Sequence, residues 1–191
     1  MKPSEQPLPK AIAVTKEGTP SGFNPTCAYK DQILQGGFTR LEISAPSDKL
    51  SIVHRTLVEA IEYPCKLRYH KLTDRQKGQL SKPESYVAVE ISKERMLQAL
   101  SSYQNLFYHD GRHQLWILGA NEEQIVLDEL GVIYLYPDDF LFRDLLTQLG
   151  WSNQNHQSMS EQDYVQVHFN ADADLEEQSL MTSFGLTRWE G

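Results

Sequence analysis

The sequence predicts an α+β domain, a mainly antiparallel sheet of five to seven strands with three or four helices packed on one face. Three observations lead there. Several short segments alternate apolar and polar side chains, which is the period of a half-buried strand. Two turn signatures, Asp110-Gly111 and Glu129-Leu130-Gly131, sit between strand-like runs, as antiparallel hairpins require. Other stretches space apolar residues for a helix, as at Leu50, Val53, Leu57, Ala60 and Ile61, giving one buried face.

Residues 1–37 read as an irregular, proline-rich lead-in. Pro3, Pro7, Pro9, Pro20 and Pro25 fall there, and proline fixes φ and removes a backbone donor. Residues 11–14 allow one short edge strand, and Gly36-Gly37 closes the segment. The core is expected over 38–150. Residues 38–43 alternate, with Phe38, Arg40 and Glu42 on one side and Thr39, Leu41 and Ile43 on the other. Pro46 and Ser47 suit a helix start, Ser47 as N-cap, and Pro64 lies past the helix end. Residues 65–72 read as a strand with basic side chains outward, 73–84 as a polar loop, and 85–91 as the next strand.

Ser92 is a good N-cap for a short helix burying Met96, Leu97, Leu100 and Tyr103. Asp110-Gly111 then joins strands at 106–109 and 112–118, and Glu129-Leu130-Gly131 joins 124–128 to 132–136. Pro137 suits a first helical position, Asp138 and Asp139 complement the helix dipole, and Gly150 suits a helix stop. Residues 151–191 form an acidic segment whose strand (163–169) and helix (171–184) complete the same domain, after a polar loop over 151–160.

At 191 residues, with 40% hydrophobic and 23% charged, the chain can bury a core and is not composed like a disordered one. No eighteen-residue apolar run is present, so no membrane span is expected. The N-terminus lacks the apolar core of a signal peptide. Two cysteines are too few for a disulfide scaffold. These features favour a soluble, cytoplasmic protein.

The net charge is −8, and residues 151–191 carry seven acids against one base, Arg188. An acidic tail repels phosphate backbones, so nucleic acid is not the expected partner. The exception is a basic run: Lys66, Arg68, Lys71, Arg75, Lys77 and Lys82, with Asp74 its one acid. Such a run is a solvated face, a patch for an acidic partner, or the counterpart of the chain's own acidic tail, within one subunit or between two.

The motif search finds no chemistry. His109, Asp110 and His113 suit a metal by residue type, but alternation across the expected hairpin sends His113 to the face opposite His109. Asn170, Asp172 and Asp174 open like a calcium loop, yet Leu175 replaces the glycine and Met181 the final carboxylate. Asp138 and Asp139 serve better as helix caps than as an acid–base pair. Nucleophile-elbow, Walker and dinucleotide glycine patterns are absent. Cys65, next to Lys66, reads as a half-buried structural cysteine. No catalytic residue, metal or cofactor is therefore assigned.

Aromatic residues give the remaining signal. Tyr103, Phe107, Tyr108, Trp116, Tyr134 and Tyr136 cluster in the expected helix and meander. Those that alternation turns outward would make an aromatic sheet surface, and tyrosine and tryptophan are favoured at recognition surfaces. The candidate binding set is Tyr108, Trp116, Tyr134 and Tyr136 with Lys66, Arg68 and Lys71. The expected function is a non-catalytic acidic protein-interaction module, an inhibitor or immunity-like protein. The alternative is an enzyme or small-ligand binder assembled from dispersed histidines and acids. An aromatic sheet face also suits a homodimer.

The run Ile125-Val126-Leu127-Asp128-Glu129-Leu130-Gly131-Val132-Ile133-Tyr134-Leu135-Tyr136, with the amphipathic helix after it, resembles the sheet-and-helix half of bacterial toxin-immunity domains. The resemblance covers about a third of the chain, residues 85–150, and lacks the family's leading helix and Leu-Pro motif. It implies an acidic inhibitor of a basic partner.

Overall fold

The computed structural model describes residues 8–75, 77–168 and 170–190. Pro3, Pro7 and Phe169, used above, lie outside the described residues. The chain begins with β1 (Ala11–Ala13) and β2 (Ala28–Ile33). The second of these corrects the irregular lead-in expected over 1–37. It forms a hairpin with β3 (Thr39–Ser44). Gly36 and Gly37 make the turn at φ +96° and +81°, which a side chain would strain. Helix α1 (Ser47–Ala60) is entered through Pro46, so Ser47 is its first residue and not its cap.

β4 (Cys65–Asp74) and β5 (Gly78–Ile91) are one long hairpin. The polar loop expected at 73–84 is mostly strand. Asp74 Oδ1 accepts the Lys77 N–H at 3.1 Å across the turn, and the backbone ladder does not require apolar side chains there. Ser92 caps α2 (Lys93–Ser102) as expected. Next comes α3 (Gln104–His109), where a strand was expected at 106–109. The reason lies far away in sequence. Glu176 accepts the Leu106 N–H at 2.8 Å and the Asn105 side-chain amide at 2.7 Å, so a distant carboxylate satisfies one of the backbone donors at the start of this short helix.

β6 (His113–Leu118), β7 (Gln124–Leu127) and β8 (Ile133–Tyr136) form the later part of the expected meander, but the Asp110-Gly111 hairpin does not form: that pair joins α3 to β6, which pairs with β4 instead. Asp139 caps α4 (Phe140–Gln148) through the Leu141 N–H at 2.9 Å, and Pro137 stays ahead of the helix. The tail adds β9 (Ser152–Asn153), a 3-10 turn (Met159–Glu161), β10 (Tyr164–Gln166), α5 (Asp172–Phe184) and β11 (Thr187–Trp189). Gly185 ends α5 in the left-handed conformation at φ +57°.

Nine strands form the main sheet in the order β11-β5-β4-β6-β7-β8-β3-β2-β9, and β1 pairs with β10 in a separate two-stranded sheet. Five to seven strands and three or four helices therefore become nine plus two strands and five α-helices among the described residues. The parallel pairing of β2 with β9 makes the large sheet mixed, while its other pairings are antiparallel. Alternation gives the sheet two faces. Leu41, Leu67, Tyr69, Leu115, Ile125 and Leu135 share one core with Leu57, Met96, Phe107, Phe142 and Leu180 of the helices. Arg68, Trp116, Val126 and Tyr134 point the other way, a face that carries the candidate site.

Candidate functional site

The outer face is built by register. Arg68 of β4 stands opposite Trp116 of β6, Trp116 opposite Val126 of β7, Val126 opposite Tyr134 of β8, and Tyr134 opposite Glu42 of β3. The next outward row runs Lys66, Leu118, Gln124 and Tyr136, and the Arg40 guanidinium donates to the Tyr136 hydroxyl at 2.6 Å. Burial alternates cleanly on β6 and β8, whereas β7 and β3 are covered on both sides: Val126 is 5% and Glu42 3% exposed. Half-buried Tyr134 packs against a second apolar cluster of Ala11, Ala13, Leu130, Val132 and Met159, so the open part of the face lies around Arg68, Trp116, Tyr136 and Arg40.

Two arginines are held on this face by rings and neutral groups. Arg68 lies between Trp116 and Trp189, with centroid distances of 5.3 and 4.6 Å. Its guanidinium donates twice to Ser85 Oγ, at 3.1 and 3.0 Å. Burial pulls its pKa down from the usual arginine value without an opposing carboxylate. Arg40 lies 3.8 Å over the Tyr134 ring and donates to Gln32 Oε1 at 2.5 Å. Guanidinium–ring stacking of this kind contributes about 0.5–2 kcal/mol, more where water is excluded. His70 shares Ser85 Oγ at 2.8 Å. Burial, then the Arg68 charge, lowers its pKa, so the ring is neutral at pH 7. Trp116 Nε1–H donates to Gln114 Oε1 at 3.0 Å, and the Gln114 amide donates to Glu129 at 2.7 Å, which fixes the indole.

The inner end of β4 is arranged oppositely. Lys71 pairs with Asp74 and with Glu177 of α5, at 3.1 and 3.2 Å. Arg75 pairs with Asp110 at 3.1 Å and Asp174 at 2.8 Å. Arg112, only 1% exposed, pairs with Asp110 and Asp174, both at 2.9 Å. The Tyr69 hydroxyl donates to Glu177 at 2.6 Å. Burial, then Glu177, raises the Tyr69 pKa, so the phenol keeps its proton. The acidic tail thus binds part of the basic run within one subunit.

The candidate residues divide accordingly. Trp116, Tyr134, Tyr136, Lys66 and Arg68 share the outer face. Tyr108 does not. It is 1% exposed on α3, with its hydroxyl 3.0 Å from His54 Nδ1. Lys71 faces inward to α5. Arg40 and Trp189 complete the face and were not singled out by sequence, while Val126, 5% exposed, lies beneath it.

The other candidates carry structural duties. His109 Nδ1 meets the Leu8 carbonyl at 2.8 Å. His113 stacks on Tyr69 at 4.9 Å, deep in the core. No metal-holding group of three His, Cys, Asp or Glu side chains occurs among the described residues. Asp138 binds Arg143. Cys65 is fully buried, not half-buried, and burial pushes its thiol up to about 11, outweighing any effect of Lys66. Cys27 and Cys65 are both free. No helix among the described residues is long and apolar enough to cross a membrane.

Cavities are modest. One of about 100 Å³ lies under the N-terminal strand, lined by Ala11, Phe23, Leu50, Leu130 and Met159 among others, without histidine or carboxylate. Ligand pockets usually enclose about 300–1,000 Å³. A hollow of about 450 Å³ beside His156 and Glu161 is open to solvent. Glu161 is already engaged there, accepting the Ser158 N–H at 2.9 Å and pairing with Lys30 at 3.2 Å.

No family model, curated protein or solved structure matches this chain.

Proposed function

We propose that this chain is a non-catalytic protein-binding module that works through the outer face of its nine-stranded sheet. The observation that carries the reading is the row Arg68, Trp116, Val126, Tyr134, flanked by Trp189, Tyr136 and Arg40. Tryptophan, tyrosine and arginine are the residue types that dominate binding energy at protein interfaces. Here they are gathered on one face and pre-ordered by stacking, which lowers the entropy lost on binding. Two or more histidines sharing one pocket with an acid would favour an enzyme; the hollow beside Glu161 is lined by one histidine, His156. The tail's Asp174 and Glu177 are engaged with Lys71, Arg75 and Arg112. This weakens the immunity-like version of the reading, in which those acids would meet a basic partner.

The test is capture from the native host's lysate at low and moderate salt. Wild type is run beside a Trp116→Ala/Tyr134→Ala variant that retains its fold by circular dichroism. The reading expects a protein recovered by wild type and lost with the variant. Equal recovery by both places binding elsewhere and removes the reading. No capture at either salt also counts against it and turns attention to ligands at the hollow beside His156.

A further inference from the structure

The partner's chemistry follows from how the basic side chains are compensated. Inside the fold, Lys71, Arg75 and Arg112 each meet carboxylates; Arg143 does so beside α4, and Lys30 does so on the outer side of β2. Arg55 and Arg95 instead donate to the Leu97 and Ser183 carbonyls. On the outer face, Arg68 and Arg40 have rings, a hydroxyl and an amide, and Lys66 projects into solvent. The nearest outward acids are already matched: Glu42 lies 3.3 Å from Lys30, and Glu129 accepts from Gln114. A chain of net charge −8 thus presents a locally cationic, aromatic face.

We infer that this face takes an extended acidic segment of a partner protein, running across the strands with carboxylates at Arg68 and Arg40 and apolar or aromatic side chains over Trp116 and Tyr134. The inference rests on the binding-face reading above. Arg68 and Arg40 stand four strand spacings apart (β4, β6, β7, β8, β3), or about 19 Å at the usual ~4.8 Å between strands. An extended chain advances about 3.3–3.6 Å per residue, so roughly six residues bridge the two arginines.

Size and symmetry argue against a second copy as the occupant. The two cationic rows run about 19 Å across the strands and lie about 7 Å apart, roughly 130 Å² in projection, against about 800 Å² per partner in a stable globular interface. An isologous dimer would also set Arg68, Arg40 and Lys66 of one copy against the same cations of the other, which is repulsive. A nucleic-acid strand would match the arginines, but its many phosphates would meet the field of a net anionic chain. A short acidic peptide meets that field with far fewer charges.

The test uses the intact chain and four fluorescent probes: a Glu-rich peptide with interspersed leucines, its Gln counterpart, a Lys-rich peptide and an oligouridylate. Binding is read by anisotropy and by quenching of tryptophan emission. The inference expects the Glu-rich peptide to bind, to quench, and to weaken as salt rises. Arg40→Gln and Arg68→Gln should each weaken it by roughly tenfold. Arg40→Lys and Arg68→Lys, which keep the charge, should lose less. Lys66→Gln, at an exposed position, should weaken it measurably. A Glu-rich peptide that does not bind, or binds no better than its Gln counterpart, overturns the inference. So does preferential binding of the Lys-rich peptide or the oligouridylate. If the probe that does bind quenches tryptophan and is lost in Trp116→Ala/Tyr134→Ala, the binding-face reading survives and only the acidic assignment falls.

Discussion

Strand β4 carries cations on both of its faces, and the two sets are compensated differently. Lys71, pointing toward the helices, meets Asp74 and Glu177, and Arg75 just past the strand meets Asp110 and Asp174. Arg68 and Lys66, one residue out of phase, have no carboxylate partner among the described residues; Arg68 lies between two indoles. The inner cations hold α5 to the sheet, since a buried charge is tolerable only when paired and hydrogen-bonded. The outer ones are not needed for that purpose. A basic run in sequence is thus two physical objects, one structural and one free to meet something else.

Breaking the inner set should have the largest effect. Arg112→Ala leaves Asp110, which is fully buried, without its closest cation. It should cost about 3–5 kcal/mol, measured by urea denaturation. A loss below about 1 kcal/mol would mean that the network does not hold the tail.

His113 sharpens the contrast from the other side. Both its ring nitrogens are buried without a hydrogen-bond partner among the described residues while the ring stacks on Tyr69. His113→Phe keeps the stack and removes two unsatisfied polar atoms, so it should gain about 1–2 kcal/mol. A loss of stability would show that the imidazole is needed there.

The same burial sets a pH dependence. Burial, then Lys10, pushes His54 down to about 3, and burial, then Lys10, holds His113 well below its ordinary value. The unfolded chain binds these protons near pH 6.5, before the native state does. The stability they carry is therefore complete above about pH 6.5 and is lost as pH falls toward 3. Asp128, raised to about 7 chiefly by burial, works oppositely, its native form gaining a proton before the unfolded one. Chemical denaturation across pH 3–7 should show a shallower acid loss in His113→Phe than in wild type. Identical pH profiles would refute the assignment.

The smallest effects belong outside. Arg68→Gln gives up its stacking and should cost about 1 kcal/mol, and Lys66→Gln should stay within about 0.5 kcal/mol. Thermal melts measure both. A large loss at either position would make the outer face a structural element.

Alternation alone turned Trp116, Tyr134, Lys66 and Arg68 to one side, because their inward neighbours on β4, β6 and β8 are apolar and buried. Arg40 was visible on its strand face, but its place beside Tyr136 depends on pairing β3 with β8, strands some ninety residues apart. Trp189 depends on a three-residue strand that exists only through β5. Gly36-Gly37 did carry a local signal. A glycine pair between two strand-length runs is a hairpin turn, and read that way it exposes β2 despite the prolines before it. No local signal marks α3, one of whose N-terminal donors is met by Glu176, nor the burial of Tyr108 that follows.

The central claim, that the outer sheet face is the working surface, is tested most directly by crosslinking a captured complex with a lysine-reactive reagent and mapping the links by mass spectrometry. Lys66 is exposed on that face, whereas Lys49 and Lys93 stand at the starts of α1 and α2. Partner links concentrated at Lys66 are the predicted result. Links through Lys49 or Lys93, with Lys66 unprotected and unlinked, would contradict the account.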